Sequence, residues 1–92
     1  MSYSVIDSIL NAWARSHNLH IQKKYQDCDV RSIEIVSPDC RRFQLWVEEP
    51  SQSGKISIHI WDFKKQKRSY VATQLSLQES LELAYHDLKS WW

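Results

Sequence analysis

Between residues 19 and 73 the side chains alternate apolar and polar, and a period of two commits a chain to pleated strands with two unlike faces. Ile33 and Ile35 alternate with Glu34 and Val36, and Phe43, Leu45 and Val47 alternate with Gln44, Trp46 and Glu48. Ile56, Ile58 and Ile60 alternate with Ser57, His59 and Trp61, and Tyr70 and Ala72 alternate with Ser69 and Val71. Leu19 and Ile21 open a weaker strand, residues 19–25, which meets Lys23 on its apolar side.

Helical periodicity brackets this run. Val5, Ile6, Ile9, Leu10 and Trp13 fall on a stripe about 140° wide at about 100° per residue. Ser4 stands where an N-cap is expected and Asn18 where the helix should end. Near the other terminus, Ser76-Leu77-Gln78-Glu79 has the form of a capping box. From there Leu77, Leu81, Ala84, Tyr85, Leu88, Trp91 and Trp92 share a stripe about 120° wide, with Gln78, Glu79, Glu82, His86 and Lys89 opposite. The terminal tryptophans are expected to be this helix's last core anchors.

Strand partners must face the same side of a sheet, so parity tests each register. A turn centred on Asp39, helped by Pro38, pairs Ile33 with Leu45 and Ile35 with Phe43. A turn centred on Lys65 pairs Ile60 with Tyr70 and Ile58 with Ala72. The Glu49–Lys55 loop allows Trp46 opposite His59, or a register two residues away. The expected fold is α+β in two layers: an antiparallel four- or five-stranded meander with N- and C-terminal helices on one face, α-β-β-β-β(-β)-α. Ninety-two residues make this one domain, 1–92.

Two helices about 10 Å across cover one face of a sheet about 24 Å wide, and nothing remains to cover the other. That second face should present His20, Gln22, Lys24, Glu34, Val36, Gln44, Trp46, Glu48, Ser57, His59, Trp61, Ser69 and Val71. Most are polar, as solvation requires. Trp46 and Trp61 are the exceptions, on adjacent strands at a diagonal that large rings can span. Tryptophan amid polar neighbours is typical of binding hot spots. The expected partner-binding residues are therefore Trp46, Trp61, His59, Gln44, Glu48 and Glu34. Two alternatives stand beside this reading: a mutually shielding pair of rings, or a face buried in a homodimer.

Charge narrows the partner. Twelve basic and 11 acidic residues leave a net charge of +1, so no global field recruits nucleic acid or a membrane surface. The one dense basic run is Lys64, Lys65, Lys67 and Arg68, on a hairpin beside Trp61, Phe63 and Tyr70. It could hold phosphates with aromatic stacking, as single-strand binders do, or simply protect a sheet edge from aggregation. The element order invites comparison with double-stranded-RNA-binding domains, which present lysines at the start of their last helix. Here that helix opens Ser-Leu-Gln-Glu, so the comparison fails at the functional residues. The acidic residues Asp27, Asp29, Glu48 and Glu49, in or beside turns, could meet a basic partner or bond the local backbone.

The remaining chemistry is sparse. A single glycine excludes glycine-rich phosphate loops. His17, His20, His59 and His86 form no His-x-x-x-His pair, so no metal and no cofactor is expected. His17 fits a partly buried helix end. Cys28 and Cys40 lie at opposite ends of one strand, too far apart for a disulfide, which suits a reducing compartment. No apolar run reaches the roughly 20 residues of a membrane span, and the N-terminus lacks a signal-peptide pattern; a cytoplasmic location is expected. No nucleophile has an evident base beside it, so no enzyme is expected. By analogy with compact bacterial proteins of this size, the expected function is a non-enzymatic protein-binding module. Its most concrete form is an immunity-protein or antitoxin-type inhibitor that neutralises a toxin or nuclease. The alternative is a nucleic-acid-binding domain using Lys64–Arg68.

Overall fold

The computed structural model describes residues 3–25, 28–62 and 64–92. A 3-10 turn, Tyr3–Val5, leads into helix α1, Asp7–Ser16. Five strands follow: β1 Ile21–Tyr25, β2 Cys28–Val36, β3 Arg42–Val47, β4 Ile56–Trp61 and β5 Gln66–Ala72. Helix α2, Leu77–Lys89, closes the order. The strands form one antiparallel sheet in chain order, a meander. Helix α2 packs on β4 and β5, and α1 packs against β1 and α2. This is the expected two-layer α+β architecture in its five-stranded form.

The alternation decides what is buried. Ile33, Ile35, Phe43, Leu45, Val47, Ile56, Ile58, Ile60 and Ala72 all point from the sheet into one cluster. There they meet Ile6, Leu10, Trp13 and Ala14 of the N-terminal segment and Leu77, Leu81, Ala84 and Leu88 of α2. Burying each large side chain contributes about 1.5–3 kcal/mol. Tyr3 joins this core, although the periodic stripe begins only at Val5; its hydroxyl donates to the Val47 carbonyl at 2.8 Å.

Registers follow parity, with one shift. Ile33 pairs with Leu45, Ile35 with Phe43 and Trp46 with His59. The β4–β5 hairpin differs from expectation: Ile58 faces Tyr70 and Ile56 faces Ala72, two residues from the register that a turn centred on Lys65 implies. The cause is local. Asp62 Oδ1 accepts from the backbone N–H groups of Lys64 and Lys65, both at 2.9 Å, and these bonds hold the carboxyl below its usual range. The ladder is irregular between Ile60 and Trp61, and Gln66 ends opposite Trp61. A slip of two keeps every residue on its face, which is why parity could not detect it.

The helix ends hold three further corrections. Ile6, not Ser4, occupies the N-cap of α1 and supplies no side-chain bond, because the 3-10 turn precedes it. At the other end Asn18 adopts φ +56°. Leu19 N–H bonds Ala14 carbonyl (2.8 Å) and Asn18 N–H bonds Arg15 carbonyl (3.2 Å), which together make a Schellman stop. Ser76 does cap α2 by position, but its hydroxyl accepts from Thr73 N–H at 2.9 Å and the capping-box bond is not made. Trp91 packs against the core, whereas Trp92 is 39% exposed and is not a core anchor.

Among the described residues one buried charged side chain sits on the covered side. Arg31 faces Val47 across β2–β3 and is buried. Its Nε and Nη2 donate to the two carboxylate oxygens of Asp7 at 2.8 and 3.1 Å, and its guanidinium lies 4.3 Å from the Tyr3 ring centroid. Those hydrogen bonds, ahead of the Arg31 charge itself, hold the Asp7 carboxyl below its usual range.

Candidate functional site

Neither helix reaches the second face of the sheet. Its composition follows from the same alternation that built the core, and the registers set its geometry. On β3 and β4, Gln44 pairs with Trp61 and Trp46 with His59. The two indoles therefore stand on a diagonal, both half-buried. Between them opens a groove of about 440 Å³ lined by Gln44, Trp46, Glu48, His59, Trp61, Lys64 and Gln66. Five of the six residues expected to bind a partner thus line one concavity. Glu34 is the exception: it lies one strand away and pairs with Arg42 at 2.7 Å.

A polar chain crosses the groove. Gln66 Nε2 donates to Ser69 Oγ, Ser69 Oγ lies 2.8 Å from His59 Nδ1, and His59 Nε2 lies 3.2 Å from Glu48. The hydroxyl proton satisfies this network by pointing at Nδ1, leaving Nε2–H for the carboxylate. Carboxylate, imidazole and hydroxyl are the components of a serine-hydrolase relay, but here the hydroxyl oxygen accepts the Gln66 amide. These bonds tie the His59 ring on β4 to Ser69 on β5 and to Glu48 just past β3.

Ser32 was absent from the expected face and belongs to it. It pairs with Gln22 on one side and Trp46 on the other. Its exposure is only 1%, and its hydroxyl has no hydrogen-bond partner among the described residues. A serine on an uncovered face is buried only when a large neighbour lies across it, and Trp46 is the largest beside it. Strict alternation from Ile33 would have placed Ser32 there. His20, by contrast, leaves the face: it precedes β1 and lines a depression with Asn11, Arg15 and Asn18 at the end of α1. Val36 and Val71 are exposed as expected.

The basic run divides. Lys67 pairs with Asp62 at 3.7 Å and Arg68 with Asp87 at 3.0 Å, while Lys64 reaches the groove. Lys65 is exposed at the hairpin tip. Tyr70 also donates to Asp87, at 2.5 Å, and that bond, with a smaller one from Arg68, holds the carboxyl below its usual range. Burial, helped by the bond to Asp87, pushes the Tyr70 hydroxyl up to about 12. Of the acidic turn residues, Glu48 lines the groove and Glu49 is exposed. Asp27 lies outside the described residues, as do Phe63 and the side chains at 24 and 29.

His17 sits where α1 meets α2. Its Nε2 donates to Glu82 at 2.6 Å, and Trp13 Nε1 donates to the same oxygen at 2.9 Å. Its ring packs 5.1 Å from Trp13 and 4.7 Å from Tyr85, between centroids. The bond from His17 holds the Glu82 carboxyl below its usual range. This histidine joins the helices and lies away from the groove. Cys40 is free and exposed, in the β2–β3 turn at φ +68°. Among the described residues no cluster of His, Cys, Asp and Glu could hold a metal ion, and no helix is long and apolar enough to cross a membrane.

The class of molecule defined here is a two-layer α-β5-α domain with a tryptophan-lined groove on its uncovered sheet face. Comparison of the chain with protein-family models, with curated proteins and with solved structures found no match.

Proposed function

We propose that this chain is a non-enzymatic protein-binding module that receives a segment of its partner in the groove between Trp46 and Trp61. The observation that carries this reading is the convergence of two half-exposed indoles with a polar chain in one concavity. Half-buried tryptophans lose little conformational entropy on binding and offer large apolar area. The most concrete form of the function is an inhibitor of the immunity or antitoxin type that occupies a partner enzyme. The net charge of +1 supports a protein partner over a nucleic acid, since no overall field draws phosphates to the chain.

The test is calorimetry with the product of the neighbouring open reading frame, using the unaltered chain, Trp46→Ala and Trp61→Ala. Each substitution should cost about 2 kcal/mol of affinity, roughly thirtyfold, with the fold intact by circular dichroism. Full affinity in both variants removes the groove as the site. A salt titration addresses the nucleic-acid alternative. Neutralising about four phosphates weakens binding by three to four decades per decade of salt, a far steeper fall than an indole-centred protein interface gives.

A further inference from the structure

Beyond Trp61 the groove has a neighbour. Lys64 lines it and also lines a second concavity, of about 250 Å³, at the same end of the sheet. The topology explains why the two adjoin. Gln44 opposite Trp61 is the last β3–β4 pair, so the start of β3 runs on beneath the β4–β5 hairpin. Trp91, just beyond α2, reaches the same place from the helix layer. Arg41 and Arg42 from the start of β3 and Lys64 and Lys67 from the hairpin are thereby gathered around one opening, with Asp62 the only carboxylate in its lining among the described residues. No local stretch of sequence contains these four cations together; the meander assembles them.

The cations are held ready. Arg41 pairs with Asp39 at 2.9 Å and Arg42 with Glu34 at 2.7 Å, on the rim of the opening. All four side chains are well exposed, and pairs of this kind contribute about 0–1 kcal/mol. An incoming carboxylate can therefore replace Asp39 or Glu34 at little cost, meeting a guanidinium that is already oriented.

We propose that the partner segment seated in the groove is acidic: a large apolar or aromatic side chain enters between Trp46 and Trp61, and neighbouring carboxylates meet Lys64 and, around the end of the sheet, Arg42 and Arg41. This rests on the docking reading above and adds the charge of the occupant. The sign pattern selects a protein segment over a nucleic-acid strand. Asp39, Glu34, Asp62 and Glu48 stand along the path and repel a continuous line of phosphates, whereas a peptide carries charge only where its side chains put it.

The experiment follows backbone amide and indole N–H signals of the isotope-labelled full chain by NMR during three titrations. The probes are a blocked pentapeptide of phenylalanine flanked by two glutamates on each side, its lysine counterpart, and an oligothymidylate. The glutamate peptide should shift the Trp46 and Trp61 indoles together with the amides of Arg41, Arg42 and Lys64, and the lysine peptide should not. The double variant Arg42→Gln, Lys64→Gln should bind the glutamate peptide about tenfold more weakly. Both positions are exposed, and an unchanged melting temperature verifies the fold. Equal indole shifts with both peptides would overturn the charge assignment while leaving the docking face standing. Indoles silent with both peptides overturn the docking reading and this one with it. Tighter binding of the oligothymidylate, lost in the double variant, replaces the acidic peptide with nucleic acid.

Discussion

The two faces of this sheet come from the same strands and differ in what their residues must satisfy. On the covered face Ile33, Leu45, Val47, Ile56, Ile58 and Ile60 are almost wholly removed from water, and the polar groups that enter there arrive with partners: Arg31 with Asp7, Tyr3 with the Val47 carbonyl. On the uncovered face the polar groups bond one another across strands, Gln66 to Ser69 to His59 to Glu48, and one buried hydroxyl, that of Ser32, goes without. The first face is constrained by packing density, so volume matters at every position. The second is constrained only by solubility, and it nevertheless keeps two half-buried tryptophans. That mismatch between requirement and content is what the docking proposal rests on.

Substitutions can break this comparison. Leu81→Ala, in the covered core, should cost about 3 kcal/mol in chemical denaturation, whereas Trp61→Ala should cost under about 1 kcal/mol, the worth of a cross-strand pair. Comparable losses would mean that the indoles serve the fold and that the faces are alike. Asp7→Ala should cost about 2 kcal/mol: it strands a buried guanidinium, and the partial exposure of Asp7 keeps the loss below that of a fully buried pair. Full stability in that variant would place Arg31 in contact with water.

Smaller effects sharpen the contrast. Trp91→Ala should cost about 1–2 kcal/mol and Trp92→Ala under about 0.5 kcal/mol, since only the first packs on the core; thermal melts of the two variants check this. Ser32→Ala should leave stability unchanged or raise it by up to about 1 kcal/mol, because it deletes an unpaired buried hydroxyl. A clear loss would show that the hydroxyl has a partner after all.

The pH dependence reports on the α2–β5 contact. Tyr70 keeps its proton to about 12 in the folded chain, above its ordinary value of 10.0. Its stabilising contribution is therefore full below pH 10 and is lost as the pH rises from there toward 12, where the unfolded chain has released the proton and the folded chain has not. Melts of Tyr70→Phe should be flatter across that window. At the acid end, Asp7, Glu82 and Asp87 are all depressed, so their contributions hold above the ordinary carboxylate range and fade as the pH falls below it.

Much of the fold was legible in the residues. Alternation identified the four stronger strands and the weaker β1, and parity paired Ile33 with Leu45 and Ile35 with Phe43. It also assigned Trp46, His59 and Trp61 to one face. The β4–β5 slip was not legible, because a shift of two preserves parity and the bond pattern of Asp62 decides it. Tyr3 was missed and Ser4 misread for a related reason: a 3-10 turn has no 3.6-residue signature, so the stripe could not show where the core begins. The capping box had the right residues, yet Thr73 N–H competes for the Ser76 hydroxyl. Trp92 matched the stripe in angle but lies past the end of α2, and angle alone does not say where a helix stops.

By itself the order of apolar and polar residues determined the layers, the element order and the sidedness of nearly every strand residue, because side-chain direction in strands and helices is a matter of local geometry. Only the tertiary structure decided that Arg41 and Arg42 would meet Lys64 and Lys67, that Glu48, His59, Ser69 and Gln66 would form one chain, and that Ser32 would be buried. Those outcomes depend on which strand ends fall side by side, which is fixed by turn lengths and registers acting over the whole sheet.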